Sequence, residues 1–470
     1  SVKLTRLDLR DLSAGEALDR AREILRAEAS RPFDLERGPL LRARLLRLGE
    51  EEHWLVLALH HIVADDASLG ILSRELGALY TARLRGTGDP LPELPVQYAD
   101  FSVWQRRWLQ GEALEGLLSH WRRALEGAPE EQELPTDRSR PSQPTWRGGL
   151  LRRGLSAELA EGLRELGARH GATLFMTALS AFQAQLIRLT GRRDLLLGAT
   201  VANRHPEAVE SLVGFFVNTL ALRLRPVAEP SFEALLRASR DVAVEAFRHQ
   251  DLPFDRLVEE LRPQRRRDRS PLVQVIFQMH DAPPAAVHLG DLEVAVEPVE
   301  SGTVKFDLVL TLEPAGEGLE ATWRYAEELF DEATIERWSG HYARLLQSAV
   351  ERPEASLWRL PMLSPAEEEQ LLQHWQPVPR PAEVTQAPPF LHQRFEAWAR
   401  QTPDSVAAVF RDRRITYGEL DRQAEALARR LRRLGAGPEV VVALAAERSL
   451  ELVAALLGIL KAGAAYLPLD

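Results

Sequence analysis

Two adjacent histidines and a nearby aspartate are the residues of this sequence whose types and spacing could do chemistry. His60 and His61 follow the apolar run 54–59, Asp65 comes four residues after His61, and Ser68 follows it. An imidazole with the ordinary pKa of about 6.5 is largely neutral at pH 7 and can accept a proton. Asp65 could orient a ring or fix the turn, and a histidine beside a strand is often structural. The pattern indicates a proton-transfer or positioning site and leaves the structural alternative open.

A strand and a helix must position these side chains. The run 54–59 is continuously apolar and of strand length, which predicts a strand buried on both faces. If the strand continued through the histidines, their rings would point to opposite faces and could not share one role. No further His or Cys stands at metal-ligand spacing, so no metal is predicted. A helix with leucines on one face follows, with Asp66 or Ser68 as its predicted N-cap.

Composition limits the classes of function. The 470 residues predict two to four domains, and 45% hydrophobic with 27% charged residues is typical of a globular protein. The formal net charge of −10 argues against phosphate-driven nucleic-acid binding. The absence of cysteine excludes disulfides, thiolate metal sites and a cysteine nucleophile. No leader pattern and no apolar run of about 18 residues is visible, which predicts a cytoplasmic protein without membrane contact.

Hydrophobic periodicity predicts alternating helices and strands along most of the chain. We expect helices at 13–29, 68–85, 98–125, 156–170, 173–189, 231–249 and 332–350, and strands at 40–48, 54–59, 150–155, 194–201, 273–279, 292–299, 305–313 and 318–325. Proline, glycine and charge without periodicity mark 127–149 as a connector and 353–389 as a linker. Asn218 places an amide in an apolar run, so it either satisfies local backbone or faces a cleft.

Several separated motifs carry a family resemblance. The stretch from His60 to Asp65 resembles the His-His-x-x-x-Asp-Gly signature of nonribosomal peptide synthetase condensation domains, relatives of chloramphenicol acetyltransferase, with Asp66 in place of the glycine. Further segments are similar to family motifs in family order: 98–105, 213–219, 249–255 and, in shortened form, 268–272. The segments 415–420 and 460–470 resemble the first two signatures of adenylation domains.

The resemblance implies an α/β (α+β) fold of two chloramphenicol acetyltransferase-like lobes in a V, with His61 at their junction. The expected divisions are an N-terminal lobe at 1–126 that lacks its start, the connector 127–149, a C-terminal lobe at 150–352, the linker 353–389 and an adenylation-domain fragment at 390–470. In the acetyltransferase an early arginine pairs with the matching aspartate, and if the same pairing operates here, the partner of Asp65 is expected outside this chain. The fragment lacks the family's phosphate-binding loop, so we expect no amino-acid activation by it.

The resemblance also implies an activity. Condensation domains join an acyl or peptidyl thioester on one carrier domain to the amine of an aminoacyl group on the next. We expect no directly bound cofactor, substrates delivered on 4′-phosphopantetheine arms, and as partners an upstream donor carrier, a downstream acceptor carrier and the adjoining adenylation domain. By resemblance His61 is the base or positioning group. His60 lies behind it and Asp65 is more structural than catalytic, while Asp66, Ser68 and Asn218 adjoin the substrate.

Alternatives remain open at this point. An epimerisation domain keeps both histidines but is expected to differ near 213–223, and a heterocyclisation domain replaces the histidines with aspartate. A non-catalytic docking platform is the alternative from another class, and Asp66 keeps it open, as it does a variant reaction on a modified residue. The arginine-rich stretch 262–269 is either a solvated face or a docking patch for an acidic partner.

Overall fold

The computed structural model describes residues 2–129, 133–205, 207–226, 229–262, 266, 268–280, 287–297, 299, 302–374 and 390–469. The chain forms two compact units, residues 1–368 and 369–470. None of the helices in the described residues combines the length and the apolar character needed to cross a bilayer.

The first sheet carries the two histidines at the end of one strand. Its elements are β1 (Leu4–Asp8), α1 (Ala14–Ser30), β2 (Leu41–Arg47) and β3 (His53–Leu59), with the order β1-β2-β3. β1 runs parallel and β3 antiparallel to β2. Ala21 and Ile24 of α1 pack with Leu46 and Val56 on one face. The prediction that β3 is buried on both faces is wrong, because Leu55 and Leu57 on the other face are 42% and 44% exposed.

Three helices follow, and the last one belongs to the second core. They are α2 (Asp66–Arg85), α3 (Tyr98–Trp108) and α4 (Gly111–Leu125), where a single helix over 98–125 was expected. The helix breaks at Gly111, whose φ of 56° lies in the left-handed region. Leu118 and Trp121 of α4 pack in the same core as the second sheet. Helix α4 therefore packs with elements that follow it in sequence, and the expected lobe boundary at 126 stays a prediction.

The second sheet is larger and mixed. Its strands have the order β4-β9-β8-β7-β5-β6, in which β7 runs parallel to β5 and β8 and the other neighbours are antiparallel. Phe182, Phe277, Trp323 and Tyr342 fill the core between this sheet and its helices. The elements are β4 (Gly148–Leu155), α5 (Ala157–Arg169), α6 (Leu174–Thr190), β5 (Leu195–Val201), β6 (Asn218–Leu224), α7 (Phe232–Arg248), α8 (Phe254–Leu261), β7 (Val275–Met279), β8 (Leu308–Ala315), β9 (Gly318–Ala326) and α9 (Glu332–Glu351).

Two predicted segments can be compared with the structure. In the predicted connector 127–149, Arg140 Nη1 donates to Asp307 Oδ1 at 2.9 Å and β4 already begins at Gly148, while the role of the segment as a connector stays a prediction. The strand expected at 292–299 does not form in its described stretch 293–297, where Val294 and Val296 are exposed and no neighbouring strand pairs with them. Alternating apolar residues indicate a strand only where a partner strand and a covering layer exist.

The second unit contains the remaining elements. Helix α10 (Pro365–Glu369) and a π-helical turn over Gln370–His374 span the division between the units. Lys461 is nearly buried and pairs with Asp421 at 2.7 Å and Glu396 at 3.0 Å, which joins three helices of this unit. The elements are α11 (Leu391–Gln401), β10 (Val406–Phe410), β11 (Arg413–Thr416), α12 (Tyr417–Arg433), β12 (Val441–Leu444), α13 (Leu450–Lys461) and β13 (Ala465–Pro468). The predicted mixed α/β class is confirmed.

Phe277→Ala tests whether the second sheet and its helices share one tightly packed core. Phe277 is fully buried and its ring contacts Phe175 and Phe182 on α6. The substitution should lower the free energy of unfolding by about 3–5 kcal/mol, measured by urea denaturation. Phe390→Ala, at a 58% exposed ring of the second unit, is the control and should change it by less than about 0.5 kcal/mol. Equal losses in the two variants would contradict this description of the core.

Candidate functional site

His61 lies in a short turn after β3. The strand ends at Leu59, and residues His61–Val63 form one turn of 3-10 helix, so the strand does not continue through the histidines. His61 is exposed, and its Nδ1 lies 2.7 Å from the Ala64 carbonyl oxygen. A carbonyl oxygen can only accept, so Nδ1 carries the proton of this hydrogen bond. The Nε2 lone pair of the neutral ring is therefore free to accept a proton. The Phe215 ring packs edge-on at 5.0 Å.

His60 has a different environment from its neighbour. Its Nδ1 accepts a hydrogen bond from the Ile62 backbone N–H at 3.1 Å, which caps the 3-10 turn. Its ring meets the Phe33 ring edge-on at 5.7 Å, and the Arg42 guanidinium covers Phe33 at 3.7 Å. His60 therefore packs against Phe33 beside the first sheet, and its hydrogen bond with Ile62 stabilises the turn in which His61 is exposed.

Asp65 is buried at the start of α2, with 4% of its surface exposed. It is the N-cap, because its Oδ1 accepts from the Ser68 backbone N–H at 2.9 Å; the predicted caps Asp66 and Ser68 are wrong. Oδ2 accepts from the Phe216 N–H at 3.0 Å. Arg204 donates from Nη2 to Oδ1 at 2.7 Å. The expectation that the partner of Asp65 lies outside the chain is therefore also wrong: the partner is Arg204.

Ser68 joins α2 to the second sheet. It is fully buried, and its Oγ accepts from the Gly214 N–H at 3.0 Å and from Arg204 Nη2 at 3.0 Å. Its one hydroxyl proton has two acceptors, Asp65 Oδ1 at 2.7 Å and the Gly214 carbonyl at 2.9 Å. The Asp65 N–H also donates to the Gly214 carbonyl at 3.1 Å. The first turn of α2 and the segment 214–216 are therefore one hydrogen-bonded assembly.

Arg204 and Gly214 complete this assembly. Arg204 Nη1 donates to the carbonyl of Leu212 at 2.7 Å, and the guanidinium lies 4.4 Å above the Phe216 ring. A Cβ on Gly214 would stand 2.2 Å from the Tyr98 ring, so glycine is required for this close approach. Tyr98 in turn donates its hydroxyl to the Phe215 carbonyl at 2.8 Å. The sequence carries no signal that would single out Arg204, because it is one of many arginines and lies in a loop.

The electrostatics of Asp65 follow from these contacts. Burial raises the pKa of the Asp65 carboxyl, but hydrogen bonds from Ser68 and Arg204 to the charged form outweigh burial and leave its pKa below the ordinary value. Asp65 is therefore a fixed carboxylate at neutral pH, and its hydrogen bonds to Ser68, Arg204 and Phe216 hold the turn.

Asn218 serves the local backbone. Its Nδ2 donates to the carbonyls of Gln250 and Leu252, both at 2.7 Å, and its Oδ1 accepts from the Phe254 N–H at 2.9 Å. Asn218 is 8% exposed, so its amide is occupied in holding the loop before α8. Of the two alternatives left open by the sequence, the structure shows the structural one. The expected place of Asn218 next to the active site stays a prediction.

Asp66 occupies the position where the signature has glycine. It is the first residue of α2 and has helical backbone, so the backbone conformation here does not require glycine. Its side chain is 79% exposed, and Oδ2 lies 3.7 Å from Nε2 of His280, the residue after β7. A carboxylate in the first turn of a helix is also favourable.

A second cluster of potential ligands lies between α4 and α7. His120, Glu245 and His249 approach one another, and the two rings stack in parallel with centroids 3.7 Å apart. Ring nitrogen lone pairs lie in the ring plane, so a single ion cannot be in line with both rings of a parallel stack. Burial lowers the pKa of His120, and His249 Nδ1 donates to the Glu245 carbonyl at 2.8 Å. This geometry favours a packed pair of rings that braces the two helices.

Comparison with family models gives two matches. The model described as Condensation domain matches residues 1–372. The model described as AMP-binding enzyme matches residues 395–470.

Known proteins resemble the chain over most of its length. Phosphinothricin tripeptide synthetase PhsC of Streptomyces viridochromogenes is 42% identical over 470 residues, which are 99% of this chain and 43% of that protein. Malpibaldin synthetase of Mortierella alpina is 41% identical over 444 residues, which are 94% of this chain and 8% of that protein. The chain therefore spans less than half the length of these relatives.

Solved structures share its fold. The X-domain in its complex with OxyB from teicoplanin biosynthesis is 28% identical, with a TM-score of 0.67 over 77% of this chain and 80% of that one. A four-domain nonribosomal peptide synthetase bound to AMP and glycine has a TM-score of 0.71 over 100% of this chain and 36% of that one; at 24% identity it shows the fold alone.

Asp65→Asn tests whether the buried pair with Arg204 stabilises the fold. Removing the charge leaves a buried guanidinium uncompensated, so the free energy of unfolding at pH 7 should fall by about 3–5 kcal/mol. Because the folded pKa of Asp65 is lowered, this stabilisation is complete above the unfolded value of about 3.9 and is lost as pH falls through the folded pKa. In urea denaturation between pH 3 and 7, the free energies of unfolding of the wild type and of Asp65→Asn should approach each other at the acid end. Asp66→Asn, at the exposed neighbour, is the control, and its free energy of unfolding should fall by no more than about 1 kcal/mol. A difference between wild type and Asp65→Asn that does not change with pH would contradict the stabilising role of the ion pair.

Asn218→Ala tests the structural role of that amide. The substitution removes the partner of the buried Leu252 carbonyl, of the partly buried Gln250 carbonyl and of the partly buried Phe254 N–H. A buried group left without a partner costs about 1–3 kcal/mol and a partly buried one less, so the free energy of unfolding should fall by about 2–4 kcal/mol, measured by thermal or urea denaturation. Gln110→Ala, which removes one hydrogen bond at an exposed helix end, is the matched control and should stay within about 0.5 kcal/mol. An Asn218→Ala protein with the same free energy of unfolding as the wild type would contradict the structural role of Asn218.

Proposed function

The chain belongs to the condensation-domain family of nonribosomal peptide synthetases, and from this premise we propose that its first unit forms an amide bond between two carrier-tethered substrates. The donor is an acyl or peptidyl thioester, and the acceptor is the amine of an aminoacyl thioester. The observation that carries the proposal is the exposed ring of His61, whose Nε2 is left free because Nδ1 donates to the Ala64 carbonyl.

The reaction needs a proton acceptor but no nucleophile from the enzyme. The acceptor nitrogen attacks the thioester carbon, the carbon–sulfur bond breaks, and the donor arm leaves as a thiol. The neutral amine nitrogen loses one proton and the leaving sulfur gains one. His61 Nε2 either accepts this proton and returns it to the departing thiolate, or holds the amine by hydrogen bonding while the proton passes from nitrogen to sulfur. General-base assistance of this kind contributes about 10²–10⁴-fold. Tethering both substrates supplies a high effective concentration in addition.

Asp65, Ser68 and Arg204 act in this proposal as positioning residues. They fix the first turn of α2 against segment 214–216, which places Phe215 against the His61 ring. His60 supports the same turn from the first sheet.

The substrates and partners complete the proposal. No cofactor is bound directly, since 4′-phosphopantetheine arms of an upstream donor and a downstream acceptor carrier deliver the substrates. The match of residues 395–470 to AMP-binding enzymes supports an adenylation domain as neighbour. The cytoplasmic location stays a prediction.

A non-catalytic docking platform is the second candidate. Two observations favour it: Asp66 departs from the signature glycine, and the chain is 28% identical to an X-domain that was solved in complex with OxyB. Against it, both histidines are present and the His61 ring is exposed. An epimerisation domain is disfavoured because residues 213–219 follow the condensation pattern.

His61→Ala tests the catalytic proposal. In the complete synthetase with loaded donor and acceptor carriers, the rate of amide formation should fall by about 10²–10⁴-fold, measured by mass spectrometry of the carrier-bound product. The free energy of unfolding should change by no more than about 1 kcal/mol, because the lost hydrogen bond is only partly buried and water can replace it. His60→Asn keeps an acceptor for the Ile62 N–H and should retain most of the activity.

The outcomes separate the two candidates. A His61→Ala protein that is folded and as active as the wild type would contradict a role for His61. A wild-type protein that forms no amide with any loaded pair, yet binds a carrier or a tailoring enzyme, would favour the docking platform.

A further inference from the structure

Asp66, His280 and Glu313 form a charged group beside the candidate site. His280 Nε2 lies 3.7 Å from Asp66 Oδ2, and its Nδ1 lies 3.6 Å from Glu313 Oε2. Asp66 opens α2, His280 follows β7, and Glu313 lies on β8, where the His280 N–H donates to the Leu312 carbonyl at 2.8 Å. The group therefore joins the start of the helix that follows His61 to one end of the second sheet.

The two carboxylates of this group are incompletely neutralised. Both distances to His280 exceed a hydrogen bond, and within the described residues neither carboxylate has another ion-pair or hydrogen-bond partner. A neutral imidazole leaves two negative charges, and even an imidazolium leaves one. The side chains of Asp66, His280 and Glu313 are 79%, 37% and 27% exposed, so a ligand can reach all three.

The adjoining face of the second sheet is polar and continuous with this group. Gln278, Thr311 and Thr322 stand opposite one another on β7, β8 and β9, so their side chains share a face. Gln278 Nε2 donates to Thr311 Oγ1 at 2.8 Å, whereas the Thr322 hydroxyl is buried without a partner among the described residues. Side chains alternate along a strand, so His280 and Glu313, two residues further along, project from this same face. The Thr322 hydroxyl can donate or accept, whereas the carboxylates of Asp66 and Glu313 only accept, so the group as a whole favours a ligand that donates hydrogen bonds.

The chemistry of the group selects the class of ligand. The carboxylates approach opposite nitrogens of one ring, so a single metal ion could not contact all three side chains. A planar guanidinium can lie along the imidazole and donate to carboxylates on both sides, and an ammonium can pair with either one. An anion would be repelled.

We propose that Asp66, His280 and Glu313 form a specificity subsite that favours a tethered substrate with a basic side chain. This proposal rests on the proposed function, because it assumes substrates presented next to His61. Asp66, the residue that departs from the signature, is then the one that supplies a selective charge. The favoured residue is either on the donor or on the acceptor thioester.

Binding tests the subsite without requiring chemistry. The probes are stable pantetheine amides of Nα-acetylarginine and of Nα-acetylcitrulline, which differ in charge at nearly equal shape, titrated into the complete synthetase by calorimetry. One or two partly exposed ion pairs should favour the arginine probe by about five- to thirtyfold. Asp66→Asn and Glu313→Gln should each lower this preference by about fivefold, and the double variant should abolish it. Glu317→Gln, on the turn after β8, is the matched control and should leave it unchanged.

Amide formation then identifies which side is selective. Arginine and citrulline are compared first as donor with a neutral acceptor, and then as acceptor with a neutral donor. The selective side is the one on which the wild type uses arginine faster than citrulline and on which Asp66→Asn lowers this ratio of the two rates. Glu317→Gln should leave both rates unchanged.

The two proposals fail in different ways. Equal binding of the two probes by the wild type, or a preference that survives in the double variant, overturns the subsite whether or not amide forms. An arginine preference in binding without amide formation from any pair supports the subsite and contradicts the proposed condensation activity.

Discussion

The buried pair of Asp65 with Arg204 is the interaction on which the rest of the site depends. The two residues are separated by 139 positions, yet Oδ1 of Asp65 receives Nη2 of Arg204 at 2.7 Å while Oδ2 receives the Phe216 N–H. Ser68 adds hydrogen bonds to the Gly214 segment. A buried charge pair offsets its desolvation better when further hydrogen bonds satisfy its groups. Here the Ser68 and Phe216 N–H groups donate to Asp65 and the Leu212 carbonyl accepts from Arg204 Nη1, whereas Arg204 Nε has no partner among the described residues. The arrangement specifies how α2 meets the second sheet.

That junction determines what each histidine can do. The turn between β3 and α2 is held at His60 by the Ile62 N–H and at Asp65 by the assembly around Arg204. His61 lies between these two fixed positions, and its Nδ1–H donates a hydrogen bond to the Ala64 carbonyl. Two adjacent imidazoles of identical chemistry thereby take different roles, one supporting the turn and one presenting a free nitrogen. Asp66, next to the buried Asp65, points instead to solvent and towards His280.

Much of the fold could be predicted from local pattern. Helices α1, α5 and α7 follow the N-cap residues Ser13, Ser156 and Ser231 and show apolar periodicity, and both signals lie within a few residues. The start of a helix soon after the two histidines was also predictable, although its N-cap is Asp65 and neither Asp66 nor Ser68. The burial of β3 was not, because apolar residues do not reveal whether a second layer covers them. Arg204, the contacts of Asn218 and the pairing of Asp66 with His280 depend on residues distant in sequence, for which a single chain carries no local signal.

The central claim is that the fold holds His61 as the tautomer protonated on Nδ1. Nitrogen-15 NMR of protein labelled at the histidine ring nitrogens, with His61 assigned by the loss of its signals in His61→Ala, measures this state directly at a pH where the ring is neutral. We expect a protonated Nδ1 and an unprotonated Nε2 for His61. A His61 ring protonated on Nε2 would contradict this claim, because the proposed proton acceptor would then be occupied.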